Sequence, residues 1–294
     1  MPEKVVVALD GGPASHSALD WVIERSHSVP IDLELTTVVD LGWAPPDVTA
    51  HFLPVYDRII LDAAERVSLA ALGLRVVTVV RHGDPVDELI RGSLFADLLV
   101  VGTNKTGVLA GIVHGTLPLR LAAATKCPLV VVPVDWHRHP GPVVVGCDDE
   151  TDERAIEFAA LEAQRSSGTL QLILAWDVPA TIATDFLGTG ALYDTMRDAN
   201  TTILNAAREK VQDNHPTLQI LHRLVYGGPA VTMIDAAKDA ELVVVGTHRR
   251  GVIAGMLLGS VGHDLLMNMA CPVAIVPLPQ DGPLDRLPEL LSAV

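Results

Sequence analysis

The chain has 294 residues and a formal net charge of −15, with 36 acidic against 21 basic side chains. This acidity opposes binding to nucleic acid or to an anionic membrane, because both need a basic face. Apolar residues make up 49% of the chain, yet no run reaches the roughly 18 consecutive apolar residues that a membrane span needs.

The N-terminus and the cysteines indicate a cellular compartment. A predicted strand begins at Lys4, which leaves no room for a signal peptide. Three cysteines give no even disulfide framework, so a reducing environment is expected. We therefore expect a cytoplasmic protein without a metal site.

Strands and helices alternate along the first 134 residues. Continuous apolar runs, typical of strands buried on both faces of a parallel sheet, are followed by amphipathic helices. Residues 40–54 are rich in proline and polar side chains and are predicted to be a loop before a long helix. The alternation indicates a parallel, doubly wound sheet of about five strands. The predicted strands are residues 4–9, 33–39, 74–80, 98–101 and 129–132.

The second half of the chain repeats the first. A glycine-rich segment that begins at Gly102 restarts at Gly246, which is 144 residues later (246 − 102). The first strand, the second strand and a Cys-Pro pair before the last strand recur as well. We predict an α/β protein with two tandem domains, each with its own five-stranded sheet. The predicted segments are domain 1 (1–134), a linker (135–142), domain 2 (143–278) and a polar tail (279–294).

Each glycine-rich segment runs from the end of an aliphatic strand to the start of a helix. A helix N-terminus has unpaired N–H groups and partial positive charge, so it attracts anions, and glycine lets the backbone approach a phosphate. A hydroxyl at the helix start can cap the helix or bind a phosphate oxygen. Ordinary strand-to-helix turns share the pattern, so the spacing alone leaves both interpretations open. The positions are Gly102, Gly107, Gly115 and Thr116 in the first copy and Gly246, Gly251, Gly259 and Ser260 in the second.

Taken together, these motifs resemble the universal stress protein family, in tandem, over residues 3–134 and 141–278. The first strand ends in Ala-Leu-Asp-Gly-Gly-Pro-Ala-Ser, a Gly-x-Pro helix start occurs at Gly83 and Gly227, and Val-Val-Gly-Thr precedes each glycine loop. The resemblance implies a Rossmann-like fold with an adenine-nucleotide pocket at the carboxyl ends of the strands, where the strand order reverses. It also implies that the last strands of the two domains pair antiparallel, so that one chain has the shape of a dimer.

The resemblance also implies roles for individual residues. Asp10 matches the family's acidic residue near the adenosine, and Asp148 is its second copy. Val39 would form an apolar wall against the adenine, with Trp176 at the same place in the second domain. A turn aspartate and a core valine explain the same residues equally well.

The chain departs from the family motif at one position in each copy. Where nucleotide-binding members have a middle glycine, this chain has Lys105 and Arg249. A side chain there could block the phosphate path or demand an unfavourable backbone conformation. Alternatively, Gly107 and Gly251 absorb the bend while the two cations pair with phosphates. The sequence leaves both outcomes open.

The leading functional hypothesis is a stress-response protein that binds ATP or a related adenine nucleotide, with Mg²⁺ left open. It would act through unidentified protein partners rather than by catalysis, because the sequence has no Walker motif, nucleophile elbow or catalytic triad. The sequence leaves open whether the protein hydrolyses ATP slowly and whether two chains form a homodimer. The alternative is a nucleotide-free interaction module of the same fold. A third class, an adenylating ligase or flavoprotein, lacks its expected Ser-Gly-Gly-x-Asp-Ser sequence.

Overall fold

The strands of the two halves join edge to edge in one sheet. The computed structural model describes residues 1–42, 46–71, 73–104, 117–148, 151, 153–166, 168–178, 190–247 and 258–278. Across the sheet the strand order is β3-β2-β1-β4-β5-β10-β9-β6-β7-β8. In chain order the strands are Glu3–Ala8 (β1), Ile31–Val39 (β2), Arg75–His82 (β3), Leu98–Thr103 (β4), Leu129–Pro133 (β5), Val143–Gly146 (β6), Thr169–Trp176 (β7), Gln219–Tyr226 (β8), Leu242–Gly246 (β9) and Val273–Val276 (β10).

Helices cover both faces of this sheet. Several begin with a proline, whose fixed φ suits the first turn and whose missing N–H is not needed there. No helix in the described residues combines the length and apolar character needed to cross a membrane. The helices are Pro13–Ser26 (α1), Pro46–Ala70 (α2), Pro85–Ser93 (α3), Leu117–Ala122 (α4), Glu153–Arg165 (α5), Gly190–Asn214 (α6), Pro229–Ala236 (α7) and Ser260–Met267 (α8).

The two halves meet at the centre of the sheet. Within each half all neighbouring strands are parallel, whereas β5 and β10 pair antiparallel with Val130 opposite Ala274. This confirms the predicted tandem α/β architecture and its dimer-like shape. The pairing joins the two five-stranded units into a single sheet, because two apolar strand edges that would otherwise be exposed cover each other.

The hydrophobic core has two layers, one on each face of the sheet. Alternating strand side chains point to opposite faces, so Val5 and Val7 join one layer and Val6 joins the other. Helices α1, α2, α5 and α6 cover the first layer, and α3, α4, α7 and α8 cover the second. Each layer contains residues from both halves, so the halves stabilise one another.

One predicted loop is wrong in part. Residues 40–54 were expected to be irregular, but α2 already begins at Pro46 and contains Pro54. Pro46 is tolerated because it starts the helix. Pro54 is exposed, so water can satisfy the carbonyl group that its missing N–H leaves unpaired.

Candidate functional site

The strand order reverses between β1 and β4 in the first half and between β6 and β9 in the second. In an open parallel sheet, the crevice outside the carboxyl ends of the strands at such a reversal is the usual place for a ligand. Both glycine-rich segments begin at this edge, since Gly102 lies in β4 and Gly246 ends β9.

A cavity of about 300 Å³ occupies this position in the second half. That volume is at the lower end of the range for small-molecule sites. One side is apolar, formed by side chains of β7, α7 and β9, and the other is formed by the turn after β6 and the start of α8. The lining residues are Gly146, Cys147, Asp148, Thr151, Ile173, Ala175, Pro229, Met233, Val245, Gly246, Gly259, Ser260, Val261 and Gly262.

Four sequence-predicted residues come together in this cavity. Asp148 follows β6, Gly246 ends β9, and Gly259 and Ser260 begin α8. They lie on three separate segments, and the first and last of them are 112 positions apart in the chain (260 − 148). The fold therefore assembles them at one place.

The start of α8 is open to a ligand. Gly259 is its N-cap residue and, having no side chain, provides no cap hydrogen bond. A Cβ atom added at Gly259 would meet nothing within 4 Å, so none of the described residues fills the space beside this position. Ser260 is exposed at the first helical position. The first-turn N–H groups and the Ser260 hydroxyl are therefore suited to hold an anionic group.

Both predicted aspartates are exposed and both stabilise local turns. The Asp148 carboxylate accepts a hydrogen bond from Thr151 Oγ1 at 2.7 Å, and the Asp148 N–H donates to the same hydroxyl at 2.8 Å. Asp10 Oδ1 accepts from the Gly12 N–H at 2.8 Å. A carboxylate has about four acceptor positions in all, so one bound hydroxyl or N–H does not use them up.

The two motif glycines at the strand ends have different surroundings. A Cβ atom at Gly102 would lie 2.0 Å from the Ala14 carbonyl oxygen, because the first turn of α1 packs directly on β4. At Gly246 the nearest atom would be Ala155 Cβ at 3.4 Å, an ordinary contact. In the first half, glycine is thus required for close packing of a helix against a strand.

Val39 and Trp176 end equivalent strands. The Val39 carbonyl accepts from the Gly83 N–H at 3.1 Å, and the Trp176 carbonyl accepts from the Gly227 N–H at 2.9 Å. Both side chains are buried, with 3% and 6% of their surface exposed. Trp176 belongs to the core layer under α5 and α6, so it is absent from the lining of the cavity, which lies on the α7 and α8 side.

The remaining predicted ligand residues lie outside the described residues, and so does the predicted tail. Their roles therefore stay predictions. These residues are Lys105, Gly107, Gly115, Thr116, Arg249 and Gly251.

The sequence analysis missed the apolar side of the cavity. Met233 lies one helical turn after Pro229, and its Sδ atom would be 3.4 Å from a Cβ atom added at Gly146. Ile173 and Ala175 alternate on β7 and face the same side. A period of two on the strand and of four on the helix were the signals that could have located them.

The charge and chemistry of the cavity are restricted. Among its described lining residues, Asp148 is the only charged one. Burial raises the pKa of the Cys147 thiol to about 12, so this side chain is neutral at physiological pH, and its Sγ donates to the Ile173 carbonyl oxygen at 3.5 Å. The described part of the cavity can thus bind and orient a ligand through backbone groups, a hydroxyl and a carboxylate.

Comparison with known proteins identifies the family. The sequence model of the universal stress protein family matches residues 1–133 and again residues 141–277. The chain belongs to this family. Two universal stress proteins of Mycobacterium tuberculosis are 28% and 29% identical to it, cover 94% and 92% of this chain, and are themselves covered to 96% and 95%.

Solved structures agree on the fold of this universal stress protein. The crystal structure of a universal stress protein from Archaeoglobus fulgidus DSM 4304 has a TM-score of 0.70 at 17% identity. The alignment covers 93% of this chain and 98% of that one. The tandem arrangement of two halves in one sheet is therefore shared over almost the whole length.

Proposed function

We propose that this universal stress protein binds ATP or a related adenine nucleotide at the carboxyl ends of its strands and acts through protein partners rather than by catalysis. The observation that carries the proposal is the convergence of Asp148, Gly246, Gly259 and Ser260 on one cavity. The sequence predicts all four as ligand residues, Asp148 from the family resemblance and the other three from the glycine-rich motif. A motif kept only for turn geometry would not require a cavity between its parts.

The two sides of the cavity suit the two ends of a nucleotide. The Ile173, Met233 and Val245 side accepts a flat apolar base. Asp148 accepts hydrogen bonds from ribose hydroxyls, and the start of α8 with Ser260 holds a phosphate. Mg²⁺, where present, would neutralise phosphate charge in a chain whose net charge is −15.

One observation favours the alternative, a nucleotide-free interaction module. The carboxylates of Asp148 and Asp10 already serve the turns that hold them, with partners at 2.7 and 2.8 Å. In that case the glycine-rich segments are structural, and the cavity is only a consequence of small residues. Direct binding measurements separate the two functions.

Thermal unfolding with and without ATP provides the test. A ligand held only by the folded state raises the unfolding temperature, and a concentration of 100 times Kd stabilises by about 2.7 kcal/mol. We expect ATP, with or without Mg²⁺, to raise the unfolding temperature more than GTP does. If neither nucleotide changes it at millimolar concentration, the interaction-module function is the correct one.

A matched pair of variants assigns the effect to the two halves. Ala175→Phe places a ring in the second-half cavity, and Val38→Phe makes the same change at the equivalent strand position of the first half, one residue before Val39. We expect the ATP-dependent shift to decrease in Ala175→Phe. An unchanged shift in that variant would contradict binding in the second-half cavity.

A further inference from the structure

Charged side chains fill the seam between the two halves, on the face covered by α1 and α5. Arg25 of α1 donates through Nη2 to Glu162 Oε1 of α5 at 2.7 Å, and its Nη1 lies 2.9 Å from Glu3 Oε2 of β1. The Arg25 and Glu162 side chains are only 5% and 7% exposed. This ion pair joins residues 137 positions apart and crosses from one half to the other.

Two further guanidinium groups complete the cluster. Arg165 Nη1 lies 2.5 Å from Glu162 Oε1, and Arg138 of the linker pairs with Glu24 of α1 at 2.5 Å. Between these groups, Trp21 and Trp136 help to line a cavity of about 60 Å³.

The charges in this seam do not balance. Four carboxylates (Glu3, Glu24, Glu162 and Glu241) face three guanidinium groups. Within the described chain, every carboxylate of the set except Glu241 has a guanidinium partner at salt-bridge distance. Glu241 instead lines the cavity together with Ser166. The seam therefore holds one carboxylate more than its cations neutralise.

We propose that Glu241 makes the contact between the two halves proton-sensitive, so that the seam binds a proton and tightens as the pH falls. Among the described residues, Glu241 is the carboxylate of this set that has no guanidinium partner, and a proton is the smallest cation that removes the surplus charge. The groups that face Glu241 are Ser166 and Glu162 of the α5 side, Glu24 of α1 and Arg138 of the linker. Glu24 of the first half and Arg138 of the linker therefore act on the Glu241 carboxyl group across the seam.

Glu3 is a second carboxyl group at the seam whose pKa is raised by burial. It faces Arg25, Arg165, Glu162 and Asp97. Burial raises its pKa despite the two guanidinium groups. Burial likewise raises the pKa of Glu241. Two carboxyl groups at one seam thus bind a proton more tightly than an ordinary glutamate does.

The direction of the pH effect follows from linkage. A carboxyl group whose folded pKa lies above its unfolded value binds its proton more tightly in the folded chain. Its contribution to stability is fully present below the ordinary glutamate pKa of 4.5 and is lost as the pH rises through the folded value. The seam is therefore expected to be weaker at pH 8 than at pH 5.

The test compares Glu241→Gln with Asp239→Asn over pH 5.0 to 8.5. Both variants remove one carboxylate, but Asp239 is exposed and lies two positions away. We expect Glu241→Gln to unfold above the wild type at pH 8, with the difference in unfolding temperature shrinking as the pH falls toward 5. Asp239→Asn should follow the wild type throughout. The proposal is overturned if the two variants have the same pH profile.

Two further measurements address the proton and the seam. The ¹³C carboxyl signal of Glu241 should titrate above pH 4.5 in the folded wild type, and titration at or below that pH would overturn the proposal. A double-mutant cycle of Glu24→Gln with Glu241→Gln should be non-additive at pH 8 and additive at pH 5. Additivity at both pH values would show that Glu241 does not act across the seam.

Discussion

Replacement of Gly102 by alanine tests how closely α1 packs on the first half of the sheet. The new Cβ atom would lie 2.0 Å from the carbonyl oxygen and 2.2 Å from the carbonyl carbon of Ala14. Both are backbone atoms, so no side chain can rotate away. Since contacts under 3.0 Å are essentially never seen for Cβ atoms, helix α1 must retreat by at least 1.0 Å (3.0 − 2.0).

The cost of this retreat follows from the residues that α1 buries. Ala18, Leu19 and Val22 are completely buried against the strands. A gap of 0.5–1 Å removes roughly a quarter to a half of the dispersion energy of each contact. Overpacking a core typically lowers the free energy of unfolding by about 1–3 kcal/mol. Because the obstacle at Gly102 is the rigid backbone of Ala14, we expect Gly102→Ala to lose an amount near the upper value, about 3 kcal/mol.

Gly246→Ala is the matched control, because it makes the same change at the equivalent position of the second half. Its Cβ atom would make only an ordinary contact, 3.4 Å from Ala155 Cβ. The loss of chain entropy in the unfolded state then stabilises by up to about 1 kcal/mol. Urea unfolding followed by circular dichroism measures both. Equal destabilisation of both variants, or an unchanged Gly102→Ala, would refute the packing argument.

Two further predictions concern buried polar groups. Glu162→Gln removes a negative charge that faces the buried Arg25 guanidinium and should lower the free energy of unfolding by up to about 3 kcal/mol. Glu24→Gln breaks a more exposed ion pair and should lower it by less than about 1 kcal/mol. Denaturant titration distinguishes the two variants, and equal losses of stability would contradict a buried ion pair at the seam. The cysteines should react with a thiol reagent at pH 8 only after unfolding, because burial raises each thiol pKa to about 12, and rapid labelling of the native protein would be the contrary result. They are Cys127, Cys147 and Cys271.

The sequence predicted the features that depend on local pattern. Continuous apolar runs such as the one around Val6 identify strands buried on both faces, and the 144-residue repeat identifies two halves. Ser260 was predicted from the glycine-rich motif and Asp148 from the family resemblance, and the fold rule for parallel sheets explains why a strand end and a helix start meet at one site. The antiparallel seam came from the family resemblance rather than from any residue pattern.

Other features depend on tertiary structure and escaped prediction. The proline content of residues 40–54 predicts a loop and not the start of α2, although a proline at the first helical position or on an exposed face is tolerated in a helix. The requirement for glycine at position 102 depends on where α1 begins in space. The surplus carboxylate Glu241 became visible only when distant segments met at the seam.

The backbone amide spectrum of the protein during titration with ATP tests nucleotide binding most directly. The account predicts saturable shifts concentrated at Gly246 and at the start of α8, Gly259 and Ser260, and their loss in Ala175→Phe. Amide signals at these positions that stay unchanged at millimolar ATP, while the protein remains folded, would contradict a nucleotide site in the second-half cavity.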